Sequence, residues 1–177
     1  MAGAGDFGVR DLEPGDHDPV QSLVAAAFAQ ADEAELVEAV RRSGDVLFEL
    51  VAETAQGLAG HILFCRGRIE TETSSGDRFR ETAILGEMAV APDQQNSGIG
   101  AALLHAGLTR LDDRAEAITF VVGHPDYYGR FGFTADAAKP FSCKWQGPAF
   151  MARIGEPQDW MSEGGFLHFP EPYDRFE

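Results

Sequence analysis

The sequence predicts an α/β domain of three layers, α/β/α, with helices flanking a mixed sheet that is mostly antiparallel and carries one parallel crossover. The run Ala83-Ile84-Leu85-Gly86-Glu87-Met88-Ala89-Val90 is almost wholly apolar, the pattern of a central strand covered on both faces. A helix-period segment and a second apolar run, residues 117–122, follow it. Such a strand-helix-strand unit is expected to be parallel and right-handed. Upstream, two strand-like runs flank Thr54-Ala55-Gln56-Gly57, a hairpin-like connection that implies an antiparallel pair.

The elements follow in order. Residues 7–12 alternate as a first strand, which Glu13-Pro14-Gly15-Asp16 breaks with turn chemistry. Val20, Leu23, Val24, Ala27 and Phe28 lie at i, i+3, i+4, i+7 and i+8, predicting a helix with Asp18 as N-cap and Pro19 in its first turn. A second helix is expected over residues 32–42, ending before Gly44, with the short stripe Leu36, Val37 and Val40. Strands 47–53 and 58–69 form the antiparallel pair, and the polar stretch 70–80, with Ser74-Ser75-Gly76-Asp77, reads as an exposed loop inside the domain. After the central strand, a helix from about 98 to 113 places Gly100, Leu103, Leu104, Gly107, Leu108 and Leu111 on the stripe facing the sheet. Strand 117–122, a short helix and a closing pair of strands, 141–145 and 150–154, complete the order.

A chain of 177 residues fits one core, and its 44% hydrophobic and 24% charged content is that of a globular domain. The domain is expected over residues 1–155. Residues 156–177 carry Trp160, Phe166, Phe169, Tyr173 and Phe176, too many aromatics to leave in water, so this tail should pack on its own domain or on a second subunit in a homodimer. No apolar run approaches a membrane span and the N-terminus lacks a signal-peptide pattern, so a cytoplasmic location is expected and no membrane partner. Cys65 and Cys143 have neither metal-ligand spacing nor the number for a disulfide framework, and should be reduced thiols.

The formal charge of -15, from 29 acidic and 14 basic residues, makes nucleic acid a poor partner, because phosphate-backbone binding needs clustered cations. A cationic or neutral substrate is electrostatically easier, although the same excess also serves solubility. His61, His105 and His124 form no metal set, and no Ser-His-Asp or Cys-His arrangement is readable.

Between the buried strand and its helix lies Val90-Ala91-Pro92-Asp93-Gln94-Gln95-Asn96-Ser97-Gly98-Ile99-Gly100. A loop rich in glycine and small residues exposes consecutive backbone N–H groups, and the helix N-terminus adds its dipole and unpaired donors. That combination suits an anion. Gly98 and Gly100 have no side chain to hold a phosphate away, though a purely structural turn uses the same glycines. The dinucleotide fingerprint would need a glycine where Leu103 stands, and the P-loop would need Gly-Lys-Ser/Thr, which is absent.

On these residues the chain resembles the GNAT superfamily of acyl-CoA-dependent N-acyltransferases. The superfamily's cofactor signature, Gln or Arg, two residues, Gly, one residue, then Gly or Ala after a Val-x-Pro strand exit, is matched by Val90-Ala91-Pro92 and Gln95-Asn96-Ser97-Gly98-Ile99-Gly100. A second signature, Tyr-x-Lys/Arg-x-Gly-Phe, is matched by Tyr128-Gly129-Arg130-Phe131-Gly132-Phe133. The likeness spans residues 7–154 and is strongest to bacterial members carrying Pro-x-Tyr-Tyr-Gly-Arg-Phe-Gly-Phe.

The resemblance implies a GNAT-like fold with splayed central strands and an N-acetyltransferase that takes acetyl-CoA as co-substrate, without a metal. The amides of Gln95, Asn96, Ser97, Gly98, Ile99, Gly100 and Ala101 would bind the pyrophosphate. Met88, Ala89 and Val90 would hydrogen-bond the pantetheine arm where a bulge splays this strand from 117–122. Family loops often carry Lys, Arg or Gly at the positions of Asn96 and Ser97, so this loop relies on amides and a hydroxyl with less added charge, which would weaken cofactor binding.

Tyr128 would be the general acid for the departing thiolate, with Tyr127 as its adjacent alternative and a packed aromatic as the structural one. Glu87 is a candidate base, since a charge in an apolar strand is costly to bury alone and desolvation would raise its pKa; an ion-paired or edge-facing carboxylate is the alternative. The resemblance implies an acceptor that is a primary amine of a small molecule or protein, in a pocket built from the first two helices and the closing pair of strands, where the superfamily varies. A non-catalytic CoA-responsive binding module is the rival from another class.

Overall fold

The computed structural model describes residues 6–175. In chain order they form β1 (Phe7–Asp11), α1 (His17–Phe28), α2 (Asp32–Ser43), β2 (Val46–Thr54), β3 (Gly57–Thr71), β4 (Arg78–Val90), α3 (Ile99–Asp113), β5 (Ile118–Val122), α4 (Pro125–Tyr128), α5 (Ala135–Ala138), β6 (Phe141–Cys143), β7 (Phe150–Ile154) and β8 (Gly165–His168), with short 3-10 turns between several of them. Hydrogen-bonded strands follow the order β1-β2-β3-β4-β5-β7, with β8 on β3 and β6 on β8. β4 and β5 are parallel, Ala83 opposite Thr119 and Ile84 opposite Phe120, as the apolar crossover unit predicts. β1/β2, β5/β7 and β3/β8 are antiparallel. A second, short parallel pairing joins β6 to β8.

Contacts divide the chain into two compact units, one built from the described residues up to Phe64 with Gly86–Arg110, the other from Cys65–Leu85 with the described residues from Leu111 onward. In the first unit, Val20, Leu23 and Val24 of α1 and Ala34 of α2 pack with Val51 of β2 and Ala89 of β4. Ala52, the next residue of β2, points to the opposite face, as strand alternation requires. There a Cβ built on Gly60 of β3 would lie 3.4 Å from Ala52 and within 2.8 Å of Ile99 and Leu103 of α3. Helices therefore cover both faces of this part of the sheet, and the bare Gly60 lets the first turn of α3 sit close on β3. Farther along, Phe48 stacks on Phe64 at 4.8 Å and Arg110 of α3 lies over the Phe48 ring.

In place of the expected cap at Asp18, α1 starts at His17 with Asp16 in the N-cap position. The Asp16 carboxylate accepts a two-point bond from Arg10 (2.7 and 3.0 Å) and a third bond from the Glu13 amide (2.8 Å), so the 3-10 turn Pro14–Asp16 runs directly into the helix. These bonds from Arg10 hold Asp16 down at about 2. α2 ends where expected, at Gly44 in a left-handed conformation with φ of 82°.

The second unit centres on β5, whose first four residues are buried. Phe120 stacks on Phe150 of β7 (5.5 Å) and meets the edge of Phe141 of β6 (5.1 Å). Strands 141–145 and 150–154 do not pair with each other as expected: β7 pairs with β5 and β6 with β8. An alternating pattern marks a strand but not its partner, and the backbone groups along the second edge of buried β5 need pairing more than β6 does. The stretch 70–80 is strand at its two ends, since β3 runs to Thr71 and β4 starts at Arg78, with the expected exposed loop between them. At the end of β3 the polar side chains occupy an outward face, with Gly67, Ile69 and Thr71 buried between Arg68 and Glu70, and only residues 72–77 are left as the connection.

β8, from the aromatic segment, pairs Leu167 with Ile69, and the Thr71 hydroxyl donates to Gly164 O at 2.7 Å. Phe169 and Tyr173 surround Trp145, and Trp160 meets Phe141 while Arg80 lies over its ring. Phe176 lies outside the described residues.

Candidate active site

β4 leaves its last residues as Glu87, buried at 9% exposure, Met88 half-buried, Ala89 buried and Val90 half-buried. The chain then turns away through bonds that close the loop on itself. Ala91 N donates to Ala59 O of β3 (2.9 Å), Gln94 N to Ala91 O (2.8 Å), and the Gln95 side-chain amide to Val90 O (3.3 Å). The Ser97 hydroxyl donates to Gln94 O. Gln95, Asn96 and Gly98 are exposed, Ser97, Gly100 and Ala101 half-buried, and Ile99 is buried and anchors the helix start.

Two residues of this loop have left-handed backbone, Asn96 (φ 59°) and Gly98 (φ 90°). Asn tolerates that region better than most side chains, whereas Gly98 reaches it at no steric cost. Placing left-handed residues among right-handed and extended ones turns successive N–H groups to one side, the geometry of an anion nest. Ala102 N donates to Gly98 O at 3.0 Å, the first helical bond of α3. The amides of Gly98, Ile99, Gly100 and Ala101 are therefore the donors that a helix start leaves without intrahelical acceptors. Backbone amides, helix dipole and exposed glycine together fit a diphosphate.

In the second unit, the segment after β5 carries the tyrosines. Tyr127 N and Tyr128 N both donate to His124 O at 3.1 Å, which winds α4, and Phe133 N donates to Tyr128 O at 3.4 Å. The half-buried Tyr128 ring is met edge-on by Tyr127 (5.1 Å) and by buried Phe133 (6.0 Å). A Cβ built on Gly123 would lie 2.9 Å from Tyr128 Cδ2 and closer still to Cε2, so this ring rests on bare backbone. Tyr127 is clamped differently, under the Arg130 guanidinium at 4.9 Å and against Phe131 at 5.4 Å, and burial pushes its hydroxyl pKa up.

Other titratable groups are buried elsewhere in the described residues. Arg41 holds Glu49 through two bonds, 2.9 and 2.7 Å, and His61 Nε2 lies 2.6 Å from Glu49 Oε2. Burial opposes ionisation of Glu49, but the bonds from Arg41 and His61 outweigh it and hold the carboxyl at about 2. Burial likewise lowers the pKa of fully buried His61, favouring neutral imidazole, despite the adjacent carboxylate. Burial pushes the Cys143 thiol up, away from thiolate chemistry. Among the described residues no cluster of three His, Cys, Asp or Glu side chains forms a metal site, and no helix is long and apolar enough to cross a membrane.

Sequence reasoning missed Gly60 and Gly123, whose only signal is a glycine within or at the end of a strand pattern, the mark of close approach by another group. It also missed the Arg41–Glu49–His61 cluster, which three separate elements assemble.

Comparison with known proteins identifies the family and the fold. A family model described as an acetyltransferase (GNAT) domain matches residues 8–135. The uncharacterized N-acetyltransferase YhbS of Escherichia coli K12 is 27% identical over 168 residues, covering 92% of this chain and 96% of that protein. YjhQ, an N-acetyltransferase of the same strain, is 32% identical over 120 residues, 67% of this chain and 64% of YjhQ. The crystal structure of YhbS from E. coli in complex with CoA superposes with a TM-score of 0.82 at 23% identity, covering 100% of this chain and 97% of that one. A GNAT family acetyltransferase from Brucella melitensis in complex with acetyl-CoA gives 0.76 at 25% identity, covering 96% and 99%.

Proposed function

The chain belongs to the GNAT acetyltransferase family, an acyltransferase family, and from that premise we propose that it moves the acetyl group of acetyl-CoA onto a primary amine of a small molecule or protein, by direct attack in a ternary complex. The observation that carries this reading is the loop from Val90 to Ala101, where left-handed Asn96 and Gly98 lead into the unpaired amides of α3. The Brucella relative, 25% identical, was solved with acetyl-CoA bound, which supports the choice of co-substrate.

In this mechanism the amides of residues 95–101 take the pyrophosphate, and the backbone of Met88, Ala89 and Val90 orients the pantetheine arm. An N–H group near Met88 polarises the thioester carbonyl, so the attacking amine meets a preorganised donor. The new C–N bond forms as the C–S bond breaks. Tyr128 gives its phenolic proton to the departing sulfur, and Glu87 accepts the proton that the amine loses. No covalent enzyme intermediate is required.

The test is thiol release from acetyl-CoA by the purified protein against a panel of primary amines, alongside the rise in Tm that acetyl-CoA should produce. Turnover with at least one amine is expected. Binding with no turnover on any amine or protein lysine would replace the enzyme reading with a CoA-responsive module, and no binding would remove both.

A further inference from the structure

We propose that Gly123 is a positioning residue for Tyr128, holding its phenol where the proton is delivered by leaving open, against bare backbone, the space that the ring fills. The inference rests on the reading of Tyr128 as the acid, and deepens it.

The ring of Tyr128 occupies the volume that any side chain at position 123 would need. A Cβ there would sit 3.5 Å from Cζ, the carbon bearing the hydroxyl, 2.9 Å from Cδ2, and closer still to Cε2 between them. Carbon atoms at rest are about 3.5–4.0 Å apart, so an alanine would force the ring away by about 1 Å at the edge that carries the hydroxyl. Gly123 itself cannot easily yield, because it continues from β5 and its N–H donates to Ala149 O at 3.0 Å, beside the start of β7. Nor has Gly123 a left-handed backbone that would require glycine on conformational grounds. The absence of a side chain is thus matched to the ring and not to the turn.

Two ring contacts and two backbone bonds point the same way. Tyr127 and Phe133 meet the ring edge-on, and the backbone of Tyr128 is tied at both its N–H and its carbonyl. Rings can shift across such edge contacts at little cost, whereas backbone cannot be compressed. Compared with these two rings, the backbone of Gly123 is the harder stop for the Tyr128 ring. A proton donor must lie within hydrogen-bond reach of the atom it protonates, and displacement by about 1 Å can cost ~10²-fold in rate.

The experiment is a cycle of Gly123→Ala against Tyr128. Alone, Gly123→Ala should lower kcat by about 10²-fold with the Kd for acetyl-CoA unchanged. In a Tyr128→Phe background it should cost nothing further, since no hydroxyl remains to be misplaced. Losses that multiply in the double variant would overturn the proposal, as would a Gly123→Ala enzyme of wild-type kcat. Full activity of Tyr128→Phe would instead sink the acid reading. A stability cycle decides the packing separately: Gly123→Ala should lower Tm in the wild-type background, yet leave it unchanged in Tyr128→Ala, where the ring is gone. An equal Tm loss in both backgrounds would show that something other than this ring fills the space. If Gly123→Ala alone fails to fold, recovery of a folded double variant with Tyr128→Ala supports the proposal and continued failure overturns it.

Discussion

In the proposed mechanism the loop at residues 95–101 and the segment at residues 123–133 act through different kinds of atoms. The loop has exposed side chains at Gln95 and Asn96, and its Ser97 hydroxyl is bonded within the loop, so what it presents to a ligand is backbone. In the second segment the backbone winds a four-residue helix, and the proposed chemistry falls on one phenol whose ring packs against two rings and a bare glycine. A backbone site fails when atoms are added to it. A side-chain site fails when one atom is removed, or when its packing lets that atom move.

The largest effect is expected where atoms are added to the loop. Replacing Gly98 and Gly100 together by Val puts a β-branched residue at a φ of 90° and fills the approach to the helix amides. The Tm rise with acetyl-CoA, worth about 2.7 kcal/mol at a hundredfold excess over Kd, should disappear. Retention of the full rise would move the pyrophosphate off this loop.

Next comes removal of one atom from the side-chain site. Tyr128→Phe keeps the ring on Gly123 and should lower kcat by about 10²-fold with little change in acetyl-CoA affinity. Tyr127→Phe should stay close to wild type, because Arg130 and Phe131 hold that ring by its face. The opposite pair of results would exchange the two tyrosines and make the Gly123 contact a packing detail.

Glu87 sharpens the contrast from the acceptor side. As the base, it matters most when the amine, with pKa near ~10, is mostly protonated, so Glu87→Gln should depress kcat/KM chiefly at low pH and converge on wild type at high pH. Superimposable profiles would make the buried carboxylate structural.

The smallest change is one of stability and tests a buried polar group that the proposed mechanism does not use. His61 is kept neutral by burial, while its unfolded counterpart takes a proton below about pH 6.5. The unfolded state then binds more protons, so stability falls with decreasing pH at up to about 1.4 kcal/mol per unit. Glu49 adds a loss at lower pH, from its unfolded value near ~4.3 down toward its folded value of about 2. Urea unfolding between pH 7.5 and 5 (roughly the span over which an ordinary imidazole titrates) should show a shallower slope in His61→Gln. An identical slope would place the acid sensitivity elsewhere.

Much of this molecule is legible in one dimension. The stripe of α1, the apolar run of β4, the 3.6-residue repeat of α3 and the glycines after Gln95 are local patterns, because burial follows the period of a helix or strand and a left-handed turn needs a small residue. The Val-x-Pro exit, the Gln95–Gly100 spacing and the Tyr128–Phe133 motif were likewise sufficient to point to the family. Partners were not legible. Nothing in the alternation of residues 141–145 and 150–154 says that one strand joins β8 and the other β5, and the exposed, polar character of residues 70–80 concealed that β3 reaches Thr71 and β4 begins at Arg78.

The sequence by itself determined most of the helices and strands, and it singled out the candidate anion loop and the candidate acid, since each depends on residues within a few positions of one another. Only the tertiary structure decided that Gly60 seats the start of α3, that Arg41, Glu49 and His61 share one buried cluster, and that Gly123 bears the ring of Tyr128. Those are contacts between segments brought together by folding, and in each the deciding quantity is a distance of a few ångströms that no spacing along the chain encodes.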